Sequence, residues 1–150
     1  RVKYRNELIN LATSLKIANN IIFINHTMDL PSYLMLSDLV LSCSTKPEAF
    51  GRTVLEAQAM GKPVIAFNHG GSVELINDNE NGTLCKVGDI NDLAINIEKV
   101  LQLSVYKRKV LSKKSIGNVN KKYLTKFMCK KTLNLYIKLI KNFREKNINN

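Results

Sequence analysis

Apolar and polar positions alternate between two periods along this chain. Leu8, Leu11, Leu15 and Ala18 recur at helical spacing, so the pattern predicts an amphipathic helix over 3–18 that closes near Asn19-Asn20. Residues 21–24, Ile-Ile-Phe-Ile, are continuously apolar and largely β-branched, as a strand buried on both faces would be. Asp29 and Pro31 then open a short helix over 32–36, and Leu39–Cys43 is the next strand. After the polar loop Ser44–Gly51, residues 53–60 are good helix formers that stop at Gly61, and Pro63 leads into the apolar strand Val64–Phe67. A turn at 68–71, a short helix over 72–77, a strand over 83–87 and a helix over 91–103 complete the alternation. Strands separated by helices of this length mean right-handed crossovers and a parallel sheet, so the expected class is α/β, a Rossmann-like parallel sheet with flanking helices.

Beyond Leu103 the strand pattern stops, and residues 105–122 and 125–146 read as helices forming a C-terminal extension. Phe127, Met128, Leu135, Tyr136, Leu139, Ile140 and Phe143 make a broad apolar stripe on the second, with Lys122, Lys126 and Lys130 spaced i, i+4 on another side. We expect an incomplete sheet domain over 1–103 and helices over 104–150 that pack back on it.

Composition adds a class and a compartment. With 150 residues, 45% hydrophobic and 23% charged, the chain is an ordinary globular domain. Cys43, Cys85 and Cys129 are odd in number and widely spaced, which argues against a disulfide framework or a zinc site and suits a reducing cytoplasm. No apolar run reaches the ~18 residues of a membrane span.

Charge is distributed unevenly. The formal net charge is +11, yet residues 1–103 hold 9 basic and 11 acidic side chains, whereas 104–150 hold 14 basic and only Glu145 acidic. Such a segment is either a solvated face or one drawn to an anionic membrane, as in a peripheral contact at the inner face of the cell membrane. Nucleic acid is not favoured, because the tail's aromatics sit mostly at core spacing rather than as a stacking series.

The stretch with chemistry is Pro47-Glu48-Ala49-Phe50-Gly51-Arg52-Thr53-Val54-Leu55-Glu56-Ala57. On one continuous helix Glu48 and Glu56 would lie roughly 12 Å apart along the axis and about 80° apart in azimuth, too far to share a small ligand. A helix starting at Gly51 changes this: Glu48 falls on the loop and Glu56 one turn in, so both carboxylates flank the free N–H groups of the first turn. Those groups and the helix dipole suit a phosphate, and a carboxylate beside a phosphate is suited to hydroxyls on either side of it. The loop also follows a parallel strand, at the carboxyl edge where open α/β sheets hold ligands.

The run P-E-A-F-G-R-T-V-L-E-A-Q-A-M-G-K-P-V-I-A, followed by N-H-G-G-S-V-E-L-I and N-G-T-L-C-K-V-G-D-I-N-D-L-A, resembles the C-terminal domain of glycosyltransferase family 4, the group 1 glycosyltransferases, across residues 20–103. That resemblance implies part of a GT-B architecture of two Rossmann-like domains, in which the C-terminal one binds a UDP- or GDP-sugar and the sugar is transferred with retention of configuration. It implies that Glu56 holds the ribose hydroxyls and that Glu48, the catalytic candidate, contacts the donor sugar. Backbone amides at Phe50, Gly51, Arg52 and Thr53 would meet sugar or diphosphate, with the loop from Asn25 and His26 beside the base. No cofactor and no metal is implied, since helix N–H groups and basic side chains stabilise the departing diphosphate. Gly70 and Gly71 read as a second close approach of backbone to ligand.

Two positions depart from the family pattern. Asn25 stands where Gly is usual, and Arg52 stands where an aliphatic residue is usual, adding a cation near the diphosphate. The family's upstream phosphate-gripping segment and its N-terminal acceptor domain have no counterpart before Arg1, so the resemblance implies a fragment, inactive alone, of an enzyme of surface polysaccharide or lipopolysaccharide synthesis. Two other classes compete. A nucleotide-sugar epimerase of similar fold would need a second acid/base group that the sequence does not offer, and an interaction module would work through the basic tail alone.

Overall fold

The computed structural model describes residues 2–148, and side chains as far as Arg144. The chain divides at Leu30/Pro31 into two compact units.

In the first unit, α1 (Val2–Ser14) is followed by Lys16 at φ +58° and a single 3-10 turn at Ala18–Asn20. The helix therefore ends before the expected position. Its apolar stripe and the chain that returns along it, Leu8, Leu11, Leu15, Ile21 and Phe23 among them, line an open apolar cleft of about 260 Å³. The strand expected at 21–24 does not form: the segment has no ladder partner, and Ile22 and Ile24 are 86% and 53% exposed. Apolar, β-branched residues favour extended backbone but do not by themselves make a strand. That requires a second extended segment to exchange hydrogen bonds, and among the described residues before Leu30 the other elements are α1 and the 3-10 turn.

The second unit is built on a three-stranded parallel sheet of order β1 (Val40–Ser42), β2 (Val64–Phe67), β3 (Thr83–Cys85). Val40 pairs with Val64 and Ile65 with Thr83. Helices α2 (Leu30–Leu36), α3 (Arg52–Ala59), α4 (Ser72–Leu75) and α5 (Ile90–Leu101) connect and cover the strands. The central strand explains the three layers. All four residues of β2 are buried, and its side chains alternate between two cores. Val64 and Ala66 pack with Val54, Ala57 and Leu75 on one face, while Ile65 and Phe67 pack with Cys85 and Val100 on the other. Burial, assisted by the Asp92 carboxylate, pushes the Cys85 thiol above its ordinary value, so it stays protonated as an apolar filler.

Of the two C-terminal helices, α6 (Val105–Lys122) lies along α3, and α7 (Thr125–Ile148) presents exposed side chains throughout 128–144. The α3–α6 seam is polar. Gln58, fully buried, donates through Nε2 to the Leu75 carbonyl at 3.1 Å and the Asn81 carbonyl at 3.2 Å, and its Oε1 accepts from Asn118 Nδ2 at 3.3 Å. Ser115 Oγ donates to the same Asn81 carbonyl at 3.1 Å. Among the described residues no buried side-chain nitrogen or oxygen lacks a partner, so the seam carries no desolvation penalty of an unmade bond.

Candidate functional site at the carboxyl edge of the sheet

Gly51 adopts φ +88°, ψ 49°, a left-handed conformation costly for any residue with a Cβ, and it is the N-cap of α3. The chain leaving β1 can thereby turn sharply into the helix. No side chain caps that turn, so its first N–H groups are left for something else. Glu48 stands on the preceding loop, exposed, and Glu56 sits one turn into α3 with its side chain 35% exposed, the arrangement that a helix start at Gly51 requires. Phe50, Arg52 and Thr53 surround the same turn.

Arg52 has a definite partner here. Its Nη2 lies 3.1 Å from Glu56 Oε1, an i, i+4 pair on the outer face of the first turn. The Arg52 side chain is 81% exposed, so little holds it there beyond that contact.

The 68–71 loop after β2 closes on the 47–50 loop after β1. Gly71 N–H donates to the Glu48 carbonyl at 2.8 Å. A Cβ on Gly70 would stand 2.9 Å from Glu48 N, and one on Gly71 would stand 2.6 Å from Phe50 Cα and closer still to its carbonyl. The two glycines are thus required by the packing of one loop against the other. Both are in close contact with the Glu48–Phe50 backbone.

Two further residues support this edge. His69 Nε2 lies 2.8 Å from the Ser44 carbonyl, which fixes the start of the Glu48 loop to the end of β2. Tyr123, immediately after α6, meets Phe50 edge-on at a centroid distance of 6.4 Å and donates its hydroxyl to the Glu74 carbonyl at 3.0 Å. Burial and the Glu74 carboxylate both raise the Tyr123 phenol, which keeps it a donor. Nothing in the local pattern marks a contact between positions 50 and 123.

Asn25 and His26 belong to the first unit, where Arg5 Nη1 donates to Asn25 Oδ1 at 2.8 Å and its guanidinium lies 5.8 Å from the Phe23 ring centroid. His26 is exposed. Among the described residues no group of three His, Cys, Asp or Glu is placed to hold a metal, and no helix is long and apolar enough to cross a membrane.

The family model described as "Glycosyl transferases group 1" matches residues 1–117. The chain belongs to this family. A relative, N-acetyl-alpha-D-glucosaminyl L-malate synthase of Bacillus anthracis, is 37% identical over 87 residues, 58% of this chain and 23% of that protein. The lipopolysaccharide core biosynthesis glycosyltransferase LpsE of Rhizobium meliloti is 31% identical over 97 residues, 65% and 28% of the two chains. Among solved structures, a glycosyltransferase from Rickettsia africae superposes with a TM-score of 0.91 at 33% identity, covering 95% of this chain and 38% of that one. Anabaena HepE in complex with UDP and glucose gives 0.85 at 28% identity, covering 91% and 37%. This group 1 chain thus spans about a quarter of the length of the curated relatives named here and under two-fifths of the solved chains.

Proposed function

We propose that this chain is the donor-binding part of a retaining glycosyltransferase that takes a UDP-sugar, with a GDP-sugar the alternative, and that acts in bacterial surface polysaccharide or lipopolysaccharide synthesis. The observation that carries the reading is the uncapped N-terminus of α3 at the left-handed Gly51, with Glu48 before it and Glu56 after it. The relatives supply the class, and HepE, held with UDP, supplies the nucleotide preferred here.

In this reading the donor diphosphate lies at the amides of Gly51, Arg52 and Thr53, where N–H dipoles and the helix macrodipole stabilise negative charge. Glu56 accepts from the ribose hydroxyls and Glu48 from hydroxyls of the sugar, while Phe50 borders the sugar. Arg52 exchanges Glu56 for the diphosphate, which frees that carboxylate for ribose as the ligand arrives. When the bond from sugar C1 to the diphosphate oxygen breaks, charge collects on the leaving group, and donors already aimed at it stabilise the transition state without a metal. The acceptor hydroxyl oxygen then bonds to C1 on the face the diphosphate left, and its proton passes to the departing diphosphate oxygen. Gly70 and Gly71 act by holding the Glu48 loop in place.

The test is a titration of the isotope-labelled chain with UDP, GDP and their sugar conjugates, with and without magnesium. Saturable amide shifts over Phe50–Glu56 that need no magnesium and vanish in Glu56→Ala are the expected result. Shifts that persist in Glu56→Ala would overturn the assignment. So would unchanged amides both in this chain and in one extended to the two-domain length of its relatives.

A further inference from the structure

The opposite edge of the sheet has a separate character. The residues that enter the three strands, Asp38, Pro63 and Thr83, lie at its amino end, and the first three turns of α6 pass across them. An open cavity flanks the helix on each side. One, of about 410 Å³, is lined by Lys62, Arg108, Lys109 and Lys113, and the other, of about 340 Å³, by Lys99, Tyr106, Lys107 and Lys114. Only Asp38 and Glu80 among the lining residues are acidic.

Arg108 is occupied structurally, since its Nη2 donates to the Leu101 carbonyl at 2.7 Å and its Nη1 to the Asp38 carbonyl at 3.4 Å, closing the end of α5. Lys62 Nζ likewise donates to the Met35 carbonyl, whereas Lys99, Lys107, Lys109, Lys113 and Lys114 make no side-chain hydrogen bond or salt bridge among the described residues. The two salt bridges among the described residues, Arg52–Glu56 and Lys86–Asp89, both lie elsewhere. Between the lysines, Val105 and Tyr106 are 70% and 75% exposed at the very start of α6.

We propose that this edge is a docking surface for an anionic lipid bilayer. An aliphatic side chain and a tyrosine standing out among lysines is the composition of an interfacial helix, with the ring at headgroup level and the lysine stems reaching past it. The exposed cations are all lysine. Point charges suit the diffuse potential of anionic headgroups, whereas recognition of individual phosphates, as in nucleic acid, favours the arginine fork, and the only arginine here is turned inward. Docking here would leave the carboxyl edge at Gly51 and Gly71 open, because α6 runs from one edge to the other. The proposal stands independently of the nucleotide-sugar reading.

The test is co-sedimentation of the 150-residue chain with vesicles of phosphatidylcholine alone or mixed with phosphatidylglycerol. Binding is expected only to the mixed vesicles and should weaken with added salt. Lys107→Glu/Lys109→Glu/Lys113→Glu should lower it about tenfold or more. Lys126→Glu/Lys130→Glu/Lys131→Glu on α7, with the same change in net charge, should leave it within about twofold, since the charge removed is remote from the surface. Thermal unfolding of both variants by circular dichroism checks that they fold, and Tyr106→Ser, neutral in charge, should weaken vesicle binding several-fold. Equal losses from the two triple variants would overturn the proposal by reducing it to net charge. Absence of a phosphatidylglycerol preference overturns it directly. Vesicle binding that ignores Tyr106→Ser and is displaced by RNA would assign the edge to nucleic acid instead.

Discussion

Gly71→Ala and Gly117→Ala are the same chemical change with opposite expected results. At position 71 the new Cβ would stand 2.6 Å from Phe50 Cα and closer to its carbonyl, where ordinary contact between carbons begins near ~3.5 Å. The obstacle is backbone, which cannot rotate away as a side chain can, so the two loops must separate by about 1 Å. That movement lengthens the 2.8 Å bond from Gly71 N–H to the Glu48 carbonyl. Overpacking costs about 1–3 kcal/mol and the weakened hydrogen bond about 1 kcal/mol more, a total of roughly 2–4 kcal/mol. At position 117, inside α6, an added Cβ meets nothing within 4 Å, and alanine should stabilise by about 0.5–1 kcal/mol through its helix preference. Urea unfolding followed by circular dichroism measures both. Because the displaced backbone immediately precedes Gly51, nucleotide affinity should fall in Gly71→Ala and remain unchanged in Gly117→Ala. A Gly71→Ala chain that unfolds within about 0.5 kcal/mol of the parent would refute the claim that these loops are in obligatory contact.

Gln58→Leu should destabilise by about 1–2 kcal/mol in the same assay, and no more, because the Leu75 and Asn81 carbonyls keep donors in Asn81, Asn118 and Ser115 when Gln58 is lost. Arg52→Ala should change stability by less than about 0.5 kcal/mol, as expected of an exposed i, i+4 pair, while weakening binding of the diphosphate more than that of the nucleoside in calorimetric titration. Asp89 caps α5 by accepting from Asp92 N–H at 3.0 Å; that bond chiefly, with Lys86 assisting, holds its carboxyl below the ordinary value of 3.8. Its contribution is therefore present above pH 3.8 and fades as the pH falls through the lower folded value, so the melting temperatures of Asp89→Asn and the parent should converge in acid.

Much of the second unit was legible because its cues are local. Val64–Phe67 is a continuous apolar run, and a central parallel strand buried on both faces needs nothing else to declare itself. The start of α3 was legible in Gly51, since few residues other than glycine tolerate the turn found there. The run at 21–24 misled for the complementary reason: its composition is that of a strand, but strand formation depends on a neighbour, which residue types do not reveal. At the candidate site the two glutamates and the glycine that separates them could be read directly. What holds them could not. The contacts of Gly71 with Glu48, His69 with Ser44 and Tyr123 with Phe50 join positions 23, 25 and 73 residues apart, and each is a consequence of how layers meet rather than of a repeat along the chain.

The polar seam between α3 and α6 also bears on when the second unit is completed. Residues 58, 75 and 81 leave the ribosome before 115 and 118, because a chain is made from its N-terminus. Until α6 arrives, the Gln58 amide and the Leu75 and Asn81 carbonyls lack several of their final partners and retain water in their place. An apolar seam would adhere to any greasy surface during that interval. This one retains water until α6 arrives, and that helix fits only where Ser115 and Asn118 both find their acceptors.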